Sequence, residues 1–439
     1  MIEVHRKDYI RHELVLDILN SYSVYGNGLI VDVERAAQHQ VEAVRTIREN
    51  LPKYRDLAHS YDLKPTQSAR VKEVLYKHFK VPELLIQKTD KRQIERLLQS
   101  SQISSDYSLE EDVREFLKLH TMLNSVYHNN SALESFITAS PPCDELSFEG
   151  HRVVIAHPVW NILSTKRFSC SKPAFQNIGK NQLDIITYFP WMKLYGADSG
   201  QIEPRITYSA FIKDPLIKHL ITIYNDAYYG ITHYVRMTKA EKIQAYKDVK
   251  NVKKLELSDD IKAARSDIKK LMLSANYGGG SIAKTMELGP AFIRDIQQHP
   301  LRRQLVEDIA KRVREGQETF YSYFGTPITP ESTATYKKGT VGWQSHVERC
   351  GLNNPIQSTA ADLMNISVYT ANKIIREEAK STWTSIAGYI HDAGYFYVSE
   401  KDIDLADKLM ECMSYQVYDD DGTPWIPIYC DKHAGLRGV

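Results

Sequence analysis

Cysteine is scarce in this chain. The five in 439 residues (Cys143, Cys170, Cys350, Cys412 and Cys430) form no CxxC pair and no metal-ligand spacing. That excludes a disulfide framework and a thiolate metal centre, and an odd, scattered count points to reduced thiols of a cytoplasmic kind. An excess of charge of one sign is also missing. Lys and Arg number 56 against 55 Asp and Glu, for a formal net charge of +1. The whole-chain balance therefore does not mark a nucleic-acid binder, and any such role must rest on local stripes. No apolar run approaches the roughly 20 residues of a membrane span. The opening Met1-Ile-Glu-Val-His-Arg leads into charged, amphipathic sequence rather than a secretory signal. Repeats and low-complexity linkers are absent as well. These absences leave a soluble, intracellular protein with no membrane partner.

What is present is ordinary globular composition, 42% hydrophobic and 25% charged. The length implies two or three subdomains rather than one core. Residues 1–60 read as helical, with a polar break at Asn20–Asn27 and a short apolar stretch, Leu29-Ile-Val31. Helical periodicity dominates Ser68–Phe136, through Val71, Val74, Leu75 and Phe79 and then Ile94, Leu97 and Leu98. Pro141, Pro142 and Gly150 mark a boundary. Arg152–Ala156 and Lys193–Ala197 read as strands, Asp214–Tyr323 as a helix-rich block, and Trp383–Val398 as a β-hairpin. The class is α+β, with a small sheet assembled from distant strands and two helical lobes.

Chemistry enters at four places. Arg265, Lys269, Leu273 and Tyr277 recur every fourth residue, so a helix places them on one drifting stripe, while Ile268, Leu271, Met272 and Ala275 form an apolar face beside it. Two cations, an apolar platform and a ring suit a triphosphate and its base. An ordinary amphipathic helix has the same pattern. Asp198 ends the Lys193–Ala197 strand, and Asp392 sits at the tip of the hairpin beside Gly394. Singly, each has a bland reading, a helix N-cap for Asp198 and a turn Asp for Asp392. If the strands are neighbours, the two carboxylates converge, and such a pair with substrate phosphates is a typical Mg²⁺ site. Lys88, Lys91, Arg92 and Arg96 form a basic cluster that is either a solvated helix face or a phosphate tracker. Asp32-Val-Glu34 has the spacing of an exonuclease carboxylate pair but lacks the further acidic residues such a nuclease needs.

Taken in order, these segments resemble the polymerase portion of family A (polymerase I-like) DNA polymerases. The family's Asp followed by Ser-Gln-Ile-Glu is similar to Asp198-Ser-Gly-Gln201-Ile202-Glu203. The fingers-helix signature Arg-x3-Lys-x3-(Phe or Tyr)-x3-Tyr-Gly is similar to Arg265, Lys269, Leu273, Tyr277 and Gly278. Further matches are Glu348–Asp362, with Arg349, Asn353 and Gln357, then the His391-Asp392 pair, and Ser164–Ile178, with Arg167, Gln176 and Asn177. The resemblance covers about residues 20 to 430.

The resemblance implies a right-hand architecture with a small antiparallel palm sheet and helical thumb and fingers lobes. Residues 1–60 would lead into the palm, 61–145 form the thumb, 146–225 the first part of the palm, 226–335 the fingers with a nucleotide-binding helix at 261–278, and 336–439 the second part of the palm. It implies template-directed addition of dNTPs to a DNA primer, with primer-template DNA as partner. Asp198 and Asp392 would hold two Mg²⁺ ions, for which Mn²⁺ can substitute. Lys269 and Arg265 would hold the triphosphate, Glu203 would crowd the ribose 2′ position, and Gln201, Leu273, Tyr277 and Gly278 would complete the nucleotide pocket. His391 would lie by the primer-terminal phosphate. Arg167, Gln176, Asn177, Arg349, Asn353 and Gln357 would contact primer and template near the nascent pair, and Lys88, Lys91 and Arg92 the duplex backbone.

The chain departs from the family at Leu273, where an aromatic residue is usual, and at Ala393, where a Glu usually follows the hairpin Asp. It departs too at Ser199-Gly200, and in a C-terminal end without the usual Trp. Leu273 should alter sugar-analogue discrimination, and Ala393 removes a third carboxylate. The chain starts almost at the polymerase boundary, so a 3′–5′ exonuclease is expected to be missing, with room for a separate exonuclease or processivity factor as partner. Two rival functions are a non-catalytic nucleic-acid-binding relative and a single-subunit RNA polymerase; Glu203 and Gln357–Asp362 argue for DNA.

Overall fold

The computed structural model describes residues 1–6, 28–83, 89, 91–99, 110–138, 147–148, 151–171, 175–276, 286–332 and 336–436. They divide into two units. The first comprises the described parts of Met1–Asn27, Trp160–Ser169 and Tyr188–Arg437, and the second those of Gly28–Val159 and Cys170–Thr187.

The first unit is organised by a four-stranded antiparallel sheet in the order Ser385–Ile390, Ala393–Ser399, Met192–Ser199, Cys430–Ala434. Ala393–Ser399 is buried at every position, which is why its sequence runs apolar and aromatic instead of alternating. The 38-residue helix Val341–Glu378 covers the sheet. Its Met364, Val368, Ala371 and Ile375 follow helical spacing and pack with Ala197, Ile386, Phe396 and Val398. Nearer the start of the same helix, Ile356, Ala360 and Leu363 pack with Val4, Ile202, Ile206, Tyr415 and Val417.

Val4 belongs to a strand, Ile2–His5, paired in parallel with Tyr415–Tyr418. The helical reading of residues 1–60 is therefore wrong at its start. Four residues carry too little periodicity to separate strand from helix, and the pairing partner lies some four hundred positions away. Residues 7–27 lie outside the described residues.

A helical lobe in the same unit is built on Leu216, Ile217, Leu220, Ile221, Ile231, Ile268, Leu271, Met272 and Phe292. Helices Pro215–Tyr224 and Ala227–Arg236 are joined at Asn225, which takes the left-handed conformation with φ 51°. Gly230 lets them touch: a Cβ there would lie 2.7 Å from the Ile221 Cα. Asp214 caps the first helix by accepting from the Ile217 N–H at 2.8 Å. Its other oxygen takes the Tyr246 hydroxyl at 2.7 Å and His299 Nε2 at 3.2 Å. Burial pushes the Asp214 carboxyl up, but the bonds from His299, Ile217 and Tyr246 outweigh it and hold the group below its usual range.

In the second unit, helices Val33–Leu57 and Glu111–Thr138 pack around Tyr54, Leu75, Phe116 and Leu117. Tyr54 stacks on Phe116 with centroids 4.7 Å apart, and its hydroxyl meets His120 Nδ1 at 3.2 Å. A three-stranded sheet pairs Leu29–Asp32 and Ser147–Phe148 with His151–Ala156. Asp32 ends its strand and caps the following helix, accepting from the Arg35 N–H at 2.9 Å. A helix cap accounts for the Asp32 side chain without a nuclease role.

Two stability measurements follow. Gly230→Ala forces the two helices apart and lowers the urea midpoint, with a loss of about 1–3 kcal/mol; an unchanged midpoint would show that the contact yields freely. Asp214→Asn destabilises at neutral pH. Because the folded carboxyl titrates below its unfolded value of about 4, its stabilisation is present above that pH and disappears as pH falls through the folded value. The stability gap between the two proteins should therefore narrow in acid, and a gap independent of pH would remove the carboxylate's charge as its cause.

Candidate functional site

The site grows from the pairing of the two central strands. Antiparallel register sets Ala393 opposite Asp198 and Ser399 opposite Met192. The turn of the hairpin then falls beside the end of the Met192–Ser199 strand, and the Ser199 N–H donates to the Asp392 carbonyl at 2.8 Å. His391 turns the chain with φ 54°, a left-handed conformation that His, Asn and Asp take more readily than β-branched or bulky residues. Asp198, at the end of its strand, and Asp392, in the turn that precedes the neighbouring strand, thus lie at one edge of the sheet. Asp198 is a strand residue, and the cap position of the following short helix, Ile202–Ile206, belongs to Gln201.

The two carboxylates have different surroundings. Asp392 keeps 31% of its side-chain surface exposed, yet its Oδ1 is enclosed and accepts no hydrogen bond. Burial pushes its carboxyl up to about 6; Arg167 opposes the shift, while Glu203 and Asp198 add to it. A buried acceptor without a donor, beside a second carboxylate, is an environment that a cation would satisfy. Among the described residues no three His, Cys, Asp or Glu side chains converge closely enough to hold a metal. Protein ligation would therefore rest on this pair, with water and phosphate oxygens completing the shell, which fits a hard, strongly hydrated ion. His391 is lowered by burial and by the charge of Arg167.

Arg167 lies within this cluster. Its Nη2 is 2.5 Å from Glu203 Oε1 and 3.7 Å from Asp392 Oδ1. Glu203 sits in the first turn of Ile202–Ile206, whose other four residues are buried. Arg205 fixes that turn by donating to the carbonyls of Gly200, Pro427 and Asn225.

The fingers-type stripe lies on the helix Asp259–Asn276. Ile268, Leu271 and Met272 are buried in the lobe, Lys269 is exposed, and Arg265 and Leu273 are half-buried. Tyr277 and Gly278 lie outside the described residues. Arg265 is held by a residue that sequence reasoning passed over. Asp226 Oδ2 accepts from Arg265 Nε at 3.1 Å and Nη2 at 2.9 Å, and from Gln201 Nε2 at 2.6 Å. Asp226 Oδ1 caps the next helix through the Tyr229 N–H at 2.8 Å. The guanidinium also lies over the rings of Tyr228 and Tyr229, at 5.2 and 5.3 Å. Only the cap had a sequence signal, an Asp before a helical run. The long-range bond to Arg265 had none.

Arg349, Asn353 and Gln357 line up at four-residue spacing on Val341–Glu378, in the same unit as the carboxylates. Arg349 lies over the Tyr336 ring at 5.3 Å, and Asn353 Oδ1 is buried without a hydrogen-bond partner. Gln176 and Asn177 lie on the short turn Phe175–Asn177 of the second unit. Lys91 and Arg92 open the helix Lys91–Gln99, with side chains outside the described set, and Lys88 lies outside it altogether.

The family model for DNA polymerase family A matches residues 34–421. The chain belongs to that family. Among solved structures it is similar to the POL domain of Pol1 from M. smegmatis, in a complex with DNA primer-template and dNTP. The TM-score is 0.67 at 16% identity, over 96% of this chain and 69% of that one. At that identity the likeness establishes the fold, a mixed α+β arrangement of palm, fingers and thumb type. Comparison with curated proteins finds no match. Polymerases of this family use divalent metal ions in catalysis. Among the described residues of this family A polymerase, no helix is long and apolar enough to cross a membrane.

Asp226 should prove structural as well as local. Asp226→Ala removes a helix cap and the partner of Arg265, for a loss of about 1–3 kcal/mol in urea unfolding. Asp226→Asn retains a capping oxygen and should recover part of that loss. Equal loss in both variants would assign the whole effect to the charge.

Proposed function

We propose that this chain performs template-directed DNA synthesis, adding dNTPs to a primer 3′ end with two Mg²⁺ ions held by Asp198 and Asp392. The observation that carries the reading is the strand register that sets these carboxylates side by side, with the Asp392 Oδ1 buried and lacking a donor. Divalent ions at such a pair supply activation of the attacking 3′ hydroxyl and stabilisation of the leaving oxygen. Lys269, exposed on the fingers helix, offers a charge for the phosphates of the incoming nucleotide. Arg265 serves the same end from its place between Asp226 and the two tyrosine rings. Fixed cations of this kind offset transition-state charge without reorganising at the moment of reaction.

Glu203, 14% exposed on a buried helical turn, is assigned to crowd the ribose 2′ position, which selects dNTPs by raising the energy of the wrong substrate. Gln201 supports it from two positions earlier, bonded to Asp226 and accepting from the Ala227 N–H. Leu273, Tyr277 and Gly278 complete the nucleotide pocket in this assignment. Arg167, His391, Arg349, Asn353 and Gln357 contact primer and template, joined by Gln176, Asn177 and the basic residues Lys88, Lys91 and Arg92 from the second unit. In domain terms the four-stranded sheet with Val341–Glu378 is the palm. The lobe around Ile268 is the fingers, and the helices of the second unit include the thumb. Ala393 in place of an acidic neighbour leaves the two-carboxylate core intact.

Primer extension on a primed DNA template with Mg²⁺ tests the proposal. The chain should extend with dNTPs and not with NTPs, and chelation should stop it. Asp198→Ala and Asp392→Ala should each reduce extension by roughly three orders of magnitude, the several kcal/mol that metal stabilisation of transition-state charge supplies, while duplex binding persists. Duplex binding without extension by the intact protein would favour a non-catalytic relative, and extension with NTPs alone would make it an RNA polymerase.

A further inference from the structure

We propose that Arg167 is a positioning residue for sugar selection, holding the Glu203 carboxylate where it crowds the ribose 2′ position; this rests on the reading of Glu203 given above. The backbone of Glu203 is immobilised. Ile202, Pro204, Arg205 and Ile206 around it are buried, and its carbonyl accepts from Thr207 Oγ1 at 2.8 Å. The side chain is another matter, because a glutamate reaches its carboxylate through three rotatable bonds and can swing away from a substrate that presses on it. A steric barrier made of a flexible side chain excludes nothing unless something fixes its far end.

In this structure that fixed point is the Arg167 guanidinium, 2.5 Å from Glu203 Oε1, with the two side chains only 21% and 14% exposed. A charge-assisted bond so shielded from solvent is stronger than a surface pair and holds a narrower geometry. Arg167 is itself anchored. Its carbonyl accepts from the Leu163 N–H at 2.9 Å, and the turn is closed by Lys166 with φ 63° and by its N–H donating to Leu163 at 2.8 Å. The guanidinium therefore comes from a tight, hydrogen-bonded turn and ends between two carboxylates, Glu203 and, at 3.7 Å, Asp392. Asp392 competes for the same cation, so the orientation of Glu203 is tied to the state of the metal-binding carboxylate. Sugar choice and the catalytic edge share one arginine.

The test is a double-mutant cycle read as sugar selectivity, the ratio of kcat/KM for a dNTP to that for the matching NTP. A general loss of activity from a weakened primer contact cancels in this ratio. Glu203→Ala should lower the ratio by well over tenfold. Arg167→Met, which keeps length but not charge, should lower it at least tenfold, and Arg167→Lys should fall less. Thermal midpoints identify any variant that has not folded. The double variant Glu203→Ala with Arg167→Met should be no less selective than Glu203→Ala alone, since the arginine acts through the glutamate. If Glu203→Ala leaves selectivity intact, the assignment of Glu203 fails and the proposal with it. If Glu203→Ala relaxes selectivity but Arg167→Met does not, or if the two losses add, Arg167 does not position the glutamate and the proposal alone is overturned.

Discussion

The edge that carries Asp198 and Asp392 depends on one register. Met192–Ser199 and Ala393–Ser399 pair so that Ala393 faces Asp198, and a slip of one residue would send the carboxylate to the opposite face of the sheet. What prevents the slip is packing. Ala197 and Phe396 lie in the core under the helix Val341–Glu378, and Ser199 donates its hydroxyl to the Met413 carbonyl at 2.8 Å. Gly196 adds a steric check, since a Cβ there would meet the His433 ring. The apolar residues of the strand determine where the acidic residue can go.

Placing the Asp392 carboxylate in an enclosed position near Asp198 and Glu203 raises the energy of its ionised form, and Arg167 opposes that rise. Arg167 partly offsets the charge at Asp392 while binding Glu203 more closely. This leaves an incomplete neutralisation at Asp392, whose enclosed oxygen has no donor. A fully compensated site would have little use for a cation, and an uncompensated one would weigh against the fold. At Asp226 the compensation is closer to complete, because its carboxylate takes both Arg265 and Gln201 and ties the helix Asp259–Asn276 to the residue three positions beyond Asp198.

Much of the fold was legible because it rests on local pattern. The strand at Lys193–Ala197, the hairpin at Trp383–Val398 and the apolar face of Ile268, Leu271 and Met272 all declare themselves in local sequence, and all occur, although the hairpin strand Ala393–Ser399 is buried throughout and does not alternate. The strand Ile2–His5 did not, since its partner is the distant Tyr415–Tyr418 and four residues hold no usable period. Asp32 and Asp226 show the same limit from the other direction. Both cap helices, and Asp226 also carries a long-range ion pair that no neighbouring residue announces.

By itself the sequence determined which residues are available for chemistry. It also ordered them along the chain in the manner of family A polymerases, with Leu273 and Ala393 as its own departures. It could do so because motifs are local and survive as spacing. Tertiary structure alone decided that Asp198 and Asp392 share an edge, that the enclosed oxygen of Asp392 has no donor, and that Arg167 binds Glu203. These depend on strand register and on burial. Both are settled by the packing of residues far apart in sequence, through contacts that no local pattern records.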